Sequence, residues 1–360
     1  QKLALERGMP VINIGDGSGH RIQEGLDSRH FASGGGMDMF DMGAKMTGWV
    51  PTVYPMMGPG FAGPSNFAAS ADFVPMVKGC STMGVAGPEL VKAALGVEIS
   101  SQELGGSKFH CQVTGVADLE VESEEECVEA SKRFLSYFPS NASEPPPIIP
   151  TGDPADRRDE WLLDAVPESR KKPYNMHRII AAIADEDSLF EMKPKYAQNM
   201  LTVLGRMNGR PVGFVANNPR FMGGVMDVKA CKKSAKFINL CDSFNLPLIF
   251  LIYASGFMPG PKSEEQGIVR YSARLMYELG MSTVTKIAVV TGKAYGGAYS
   301  GMCGGRSFNA DLSVGWPSAE FCAMGIEGAV NVAYGRVIRA AEDPESKRQE
   351  LVSGFRERID

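Results

Sequence analysis

The chain has no apolar stretch long enough to cross a membrane. Its longest, Pro247 to Ala254, falls far short of the roughly 18 residues a spanning helix requires. It also has no block of Lys or Arg: 37 basic residues against 42 acidic ones leave a net charge of −5, so no surface follows a nucleic-acid phosphate backbone, although a small anionic ligand stays possible. The four histidines, at 20, 30, 110 and 177, are scattered. Without HxxxH or HExxH spacing they predict no metal site. The seven cysteines form no CxxC pair, and an odd number argues against a disulfide framework and for a reducing, cytoplasmic setting. There is no start Met and no apolar signal core. Residues Gln1 to Gly8 read as the last turns of an amphipathic helix closed by a glycine, so the chain is expected to begin inside a domain.

What is present points to an ordinary globular protein. Of its 360 residues 44% are hydrophobic, with 41 glycines and 23 prolines, enough for two domains rich in tight turns. The most informative feature is an internal repeat. Pro10 to Ile14 runs into Gly15-Asp16-Gly17-Ser18-Gly19, as Pro247 to Ile252 runs into Ser255-Gly256-Phe257-Met258-Pro259-Gly260. Three further echoes follow in the same order. Gly19 and Gly256 are 237 apart, Gly63 and Gly297 234, Ala71 and Ala310 239, and Met83 and Met324 241. Between the halves, the proline-rich stretch Ser140 to Asp159 reads as a linker. The expected layout is one domain over 1–150, a linker over 151–172 and a second domain over 173–360.

Ser123-Glu124-Glu125-Glu126 predicts a capped helix start reaching Phe138. In the second half, strands at 209–216, 247–254 and 286–291 alternate with helices at 230–242 and 267–279, the pattern of a parallel α/β sheet. Each half also pairs a strand with a Gly-rich turn opening a helix: Gly58-Pro59-Gly60-Phe61-Ala62-Gly63 and Ala294-Tyr295-Gly296-Gly297-Ala298-Tyr299. Small residues let backbone N–H groups approach a ligand there, which suits an oxyanion or a phosphate. Tight turns and close helix–strand packing would demand the same glycines. No GxSxG, GxxxxGK[ST] or Cys-His signature offers another catalytic engine.

Several segments resemble the carboxyltransferase (beta) component of biotin-dependent acyl-CoA carboxylases, of the propionyl-CoA carboxylase type. They include Pro173-Tyr174-Asn175-Met176-His177, Asn208-Gly209-Arg210-Pro211-Val212-Gly213, Lys293-Ala294-Tyr295-Gly296-Gly297-Ala298-Tyr299 and Trp316-Pro317-Ser318-Ala319-Glu320. In the first half Arg21-Ile22-Gln23-Glu24-Gly25 and Glu103-Leu104-Gly105-Gly106 match as well. The resemblance implies two tandem crotonase-like (ClpP-like) α/β domains and an oligomer, plausibly a hexamer, whose active sites are shared between subunits. It implies carboxyl transfer from biotin, borne on a separate biotin carboxylase or carrier component, to an acyl-CoA. By the same resemblance, the N–H groups of Ala62 and Gly63 hold the thioester oxygen and those of Gly297 and Ala298 the biotin ureido oxygen. Gly19, His20, Arg21, Gly58 and Gly60 fall on the CoA side; Tyr253, Ser255, Gly256, Phe257, Tyr299 and Ser300 fall around the biotin and acyl pocket. Family members extend further at both ends.

The chain departs from the family pattern where pockets are lined. Ala62-Gly63-Pro64 stands for Gly-Gly-Ala, and Ala62 tolerates positive φ poorly while Pro64 has no N–H. Tyr253-Ala254-Ser255 replaces Asp-Val-Pro, Ser300 replaces an often acidic residue, and His20 stands in a motif of small residues. Altered substrate preference accounts for this clustering; relaxed constraint in a non-catalytic paralogue would produce it too. A biotin-independent crotonase-type decarboxylase or hydratase is the other enzymatic alternative. His20 is either an acid/base or a solvated loop residue, and Arg21 either a partner of a CoA phosphate or one member of a loop ion pair. Met37, Met39, Met42 and Met46 fit a core or subunit-contact stripe of a helix.

Overall fold

The computed structural model describes residues 1–17, 19, 29, 38–169, 172–305, 308 and 310–356. The opening helix Lys2–Arg7 ends at Gly8, whose φ of 63° makes the left-handed cap expected of a glycine there. The first half is built from short parallel pairs: β1 (Val11–Ile12) with β2 (Thr52–Val53), β3 (Pro59–Phe61) with β5 (Thr82–Gly84), and β4 (Pro75–Val77) with β6 (Leu119–Val121). Single bridges from Gly15 to Met56, Val53 to Phe73 and Met56 to Met76 knit these pairs together. Helix α1 (Gly63–Ser70) follows β3, and α2 (Glu124–Leu135) closes the half. Ser123 caps α2 by accepting the Glu126 N–H at 3.2 Å. The Glu126 carboxylate reaches past it to the Glu122 N–H, at 2.9 Å.

The second half holds a seven-stranded sheet. Its order is β12 (Leu312–Gly315), β11 (Lys286–Tyr295), β10 (Leu248–Ala254), β9 (Arg210–Asn217), β8 (Met200–Met207) and β7 (Phe190–Met192), with β13 (Glu320–Cys322) pairing the far end of β11. Strands β9 to β12 are parallel, as the alternation with helices α3 (Val228–Ser243) and α4 (Ile268–Met281) dictates. β7, β8 and β9 are instead antiparallel. β8 and β9 are joined by Asn208-Gly209, with φ of 50° and 77°, the dipeptide a tight hairpin turn favours. Along β10 the pleat divides the side chains between two cores. Leu248, Phe250, Ile252 and Ala254 enter the layer under α3 and α4, while Ile249, Leu251 and Tyr253 meet Tyr174, Met176 and Ile180 on the opposite face.

The repeat read from sequence is present in three dimensions, with its register. Val11 pairs with Thr52 and Leu248 with Lys286, positions 237 and 234 further on. Phe61 pairs with Gly84 and Tyr295 with Cys322, 234 and 238 further on. The residue that follows takes positive φ in both halves: Ala62 at 71° and Gly296 at 54°.

The halves share one core. Phe73 stacks on Phe134 at 4.7 Å and meets Phe190 of the second half edge-on at 5.4 Å, and Phe138 packs on Phe244. Phe73, Phe134 and Phe244 are fully buried, and each contributes about 1.5–3 kcal/mol by burial. A buried ion pair, Lys193 with Asp118 at 2.8 Å, crosses the same boundary. The 151–172 segment does not hang free. Trp161, Leu162 and Val166 pack against the second-half core, and Arg157 donates to the carbonyls of Ala182 and Ala184.

Candidate active site

In the second half, β11 delivers the chain into the short helix α5 (Gly296–Gly301). Gly296 is obligatory there: its φ is positive, and a Cβ would lie 2.7 Å from the Ala323 carbonyl oxygen. Gly297 and Ala298, in the first turn, have no carbonyl one turn back to accept their N–H groups. Outside the helix, no backbone carbonyl among the described residues accepts them either. Gly297 is exposed and Ala298 buried. The Phe257 ring lies against this turn, since a Cβ on Gly297 would touch it at 3.5 Å and one on Gly301 at 3.1 Å. Behind the turn, the Tyr295 hydroxyl and the buried Glu320 carboxylate are hydrogen-bonded, tying the helix entrance to β13.

The first-half turn is the same device with different chemistry. Ala62 N–H donates to the Gly84 carbonyl at 2.8 Å, so this donor is spent on the β3–β5 pairing and is not open to a ligand. That corrects its expected role as half of an oxyanion hole. Register also aligns Ala62 with Gly296, Gly63 with Gly297 and Pro64 with Ala298. Gly63, first residue of α1, keeps an N–H with no intrahelical acceptor; Pro64 has none to offer.

The other expected residues sort unevenly. Gly19 is brought beside Ala62, a Cβ on it lying 3.0 Å from that of Ala62. His20 and Arg21 lie outside the described residues. At Gly58 a Cβ would sit 1.9 Å from Asp16 Oδ1, and at Gly60 2.1 Å from Met56 Cε, so a side chain at either place would have to displace the end of the Asp16 or Met56 side chain. Gly256 takes φ 133° and accepts the Met226 N–H at 3.0 Å, holding the loop that carries Phe257. Ser255 Oγ donates to the Gly223 carbonyl at 2.7 Å. Ser300 is half-buried within α5, and Tyr299 turns its ring toward Phe321. Tyr253 is not at this turn: it lies on the other face of the sheet, edge-on to Tyr174 at 5.4 Å.

Comparison with known proteins settles the family. The carboxyl transferase domain matches residues 1–359. The chain is 39% identical over 354 residues to the carboxyltransferase subunit of propionyl-CoA carboxylase from Haloferax mediterranei, covering 98% of this chain and 68% of that protein. This chain belongs to the carboxyl transferase family. It is also 40% identical over 352 residues to the methylmalonyl-CoA carboxyltransferase 12S subunit of Propionibacterium freudenreichii subsp. shermanii, covering 98% of this chain and 66% of the subunit. A crystal structure of transcarboxylase 12S, described as a hexamer assembly with methylmalonyl-coenzyme A bound, superposes with a TM-score of 0.91 at 39% identity, over 99% of this chain and 67% of that one. The chain thus spans about two-thirds of the length of these relatives. The expected fold of two crotonase-like α/β domains is borne out, as is the enzyme class, an acyl-CoA carboxyltransferase.

Sequence reasoning passed over Ser65 and Ser81 of this carboxyltransferase. Ser81 accepts the Val77 N–H at 2.8 Å and donates to the Met56 carbonyl, pinning the β4–β5 turn behind the first site. Ser81 stands beside the Gly79-Cys80 turn, and a serine flanking a glycine turn is the one signal that could have drawn attention to it.

Proposed function

We propose that this carboxyltransferase moves a carboxyl group from carboxybiotin, borne on a separate carrier component, to an acyl-CoA. The Gly63 N–H faces the thioester oxygen, and the Gly297 and Ala298 N–H groups face the ureido oxygen. The observation that carries this reading is the repeated strand–turn–helix unit, which sets first-turn backbone donors at equivalent positions of two domains. The second turn fits a ureido oxygen: Gly297 is exposed, and its missing Cβ leaves the approach open up to the Phe257 ring. Carboxybiotin, when bound, supplies the carboxyl group, its N–C bond breaking as the new C–C bond forms and the acyl proton passing to the donor nitrogen. The protein holds negative charge at the two oxygens with dipoles already aimed, which costs no reorganisation during reaction. Gly19, His20 and Arg21 are proposed to face the CoA moiety, and Phe257, Tyr299 and Ser300 to border the pocket. A homo-oligomer, a hexamer, and a cytoplasmic setting belong to the same reading. The domain limits that go with it are 1–150 and 173–360.

Replacing Ala298 with Pro deletes one donor, and a loss of about 10²- to 10³-fold in kcat is expected. Carboxylation measured with a competent carboxybiotin donor checks it. Undiminished turnover in a folded Ala298→Pro protein would remove α5 from the reaction.

A further inference from the structure

We propose that Ser65 is a positioning residue for carboxyl transfer, clamping the turn that aims the Gly63 N–H. The inference rests on the reading of Gly63 given above and adds the group that holds it in place. Ala62 sits at φ 71°, ψ −131°, a backbone region that L residues rarely adopt. At the matching position the second domain has Gly296, also at positive φ, 54°, which glycine adopts freely. In the first domain something must hold an alanine there.

That group is the Ser65 hydroxyl. It accepts the Gly84 N–H at 2.7 Å and donates to the Gly60 carbonyl at 2.5 Å, with the Gly84 carbonyl 3.1 Å away. The Ser65 N–H donates to the Ala62 carbonyl at 3.0 Å, and the Ala62 N–H to the Gly84 carbonyl at 2.8 Å. One side chain thus fastens the start of α1 to β3 on one side and β5 on the other, and Gly63 lies inside the loop it closes. At the equivalent position of the second domain stands Tyr299, whose ring packs on Phe321 instead. The Ser65 clamp thus stands at the turn that carries alanine, and glycine occupies the matching place in the second domain.

A small misplacement of a positioning group costs rate more than binding. In the full-length protein, assembled with its carboxybiotin donor, Ser65→Ala is expected to lower kcat for propionyl-CoA by about 10- to 100-fold while leaving KM within about twofold. Ser65→Thr, which keeps the hydroxyl, should retain most of the rate. The distinguishing variant is Ser65→Ala combined with Ala62→Gly: glycine needs no clamp, so kcat should return to within a few-fold of the parent. Amide exchange at Gly84 should accelerate in Ser65→Ala, and circular dichroism should show each variant folded. A folded Ser65→Ala protein with parental kcat, or a double variant no faster than Ser65→Ala alone, overturns the proposal. If Gly84 exchange accelerates as expected but the parent carboxylates no acyl-CoA with a competent donor, it is the carboxyltransfer reading that falls, and the positioning role falls with it.

Discussion

Replacing Lys193 with Met should destabilise the folded protein by about 3–5 kcal/mol, the cost of stranding a buried charge. Lys193 Nζ lies 2.8 Å from Asp118 Oδ1, with the two side chains 6% and 0% exposed. At that distance the attraction is about 6 kcal/mol at an effective dielectric constant of 20, and desolvation offsets most of it while both partners are present. Lys193 also donates to the Gly115 carbonyl at 2.7 Å, so its ammonium joins the first half to the start of the second-half sheet. Met keeps the alkyl stem and removes only the charge and the donors. Among the described residues the Asp118 carboxylate then keeps one hydrogen bond, from the Val74 N–H at 2.9 Å. Adding Asp118→Asn preserves that acceptor and removes the uncompensated charge, so the double variant should recover at least half of the loss. Urea unfolding at pH 7, followed by circular dichroism, gives the comparison. A Lys193→Met protein within 1 kcal/mol of the parent, or a double variant whose loss equals the sum of the single losses, would refute the view that this pair is a coupled buried unit.

Burial pushes Asp72 up to about 6, against hydrogen bonds from the Thr52 N–H and hydroxyl that act to lower it. Because the folded value lies above the unfolded one, the stability it contributes is fully present below about pH 4 and lost as pH rises through 6, a difference of about 3 kcal/mol; Asp72→Asn should flatten the urea midpoint between those pH values. Gly296→Ala places a Cβ 2.7 Å from the Ala323 carbonyl at positive φ, and should lower stability by about 1–3 kcal/mol and carboxylation with it, read by thermal unfolding and turnover. Ser300→Asp should change the ratio of kcat/KM between propionyl- and butyryl-CoA by about 10-fold or more, in the range expected of pocket contacts, with little change in melting temperature; an unchanged ratio would take Ser300 out of the pocket.

Local pattern and repetition made much of this protein legible in its sequence. Apolar runs of five to eight residues bounded by glycines marked the strands, and repeated spacing marked two copies of one unit, because strands and turns are dictated by residues close together in the chain. The antiparallel β7–β8–β9 segment escaped that reading, although Asn208-Gly209 carries a hairpin signal: an apolar strand such as Met200–Met207 is equally compatible with a parallel neighbour. Pairing and facing were decided by the tertiary structure alone. The run Pro247 to Ala254 is apolar throughout, so nothing in it says which parity faces α3, and Tyr253 falls on the face away from α3 and α4. Ala62 carries an N–H that sequence counts as a donor, but only the register of β3 against β5 shows the Gly84 carbonyl already accepting it. The same holds for Asp118 and Lys193, 75 positions apart. Neither residue type nor spacing predicts their meeting, because it is the packing of the two halves into one core that removes both from water and leaves each as the other's partner.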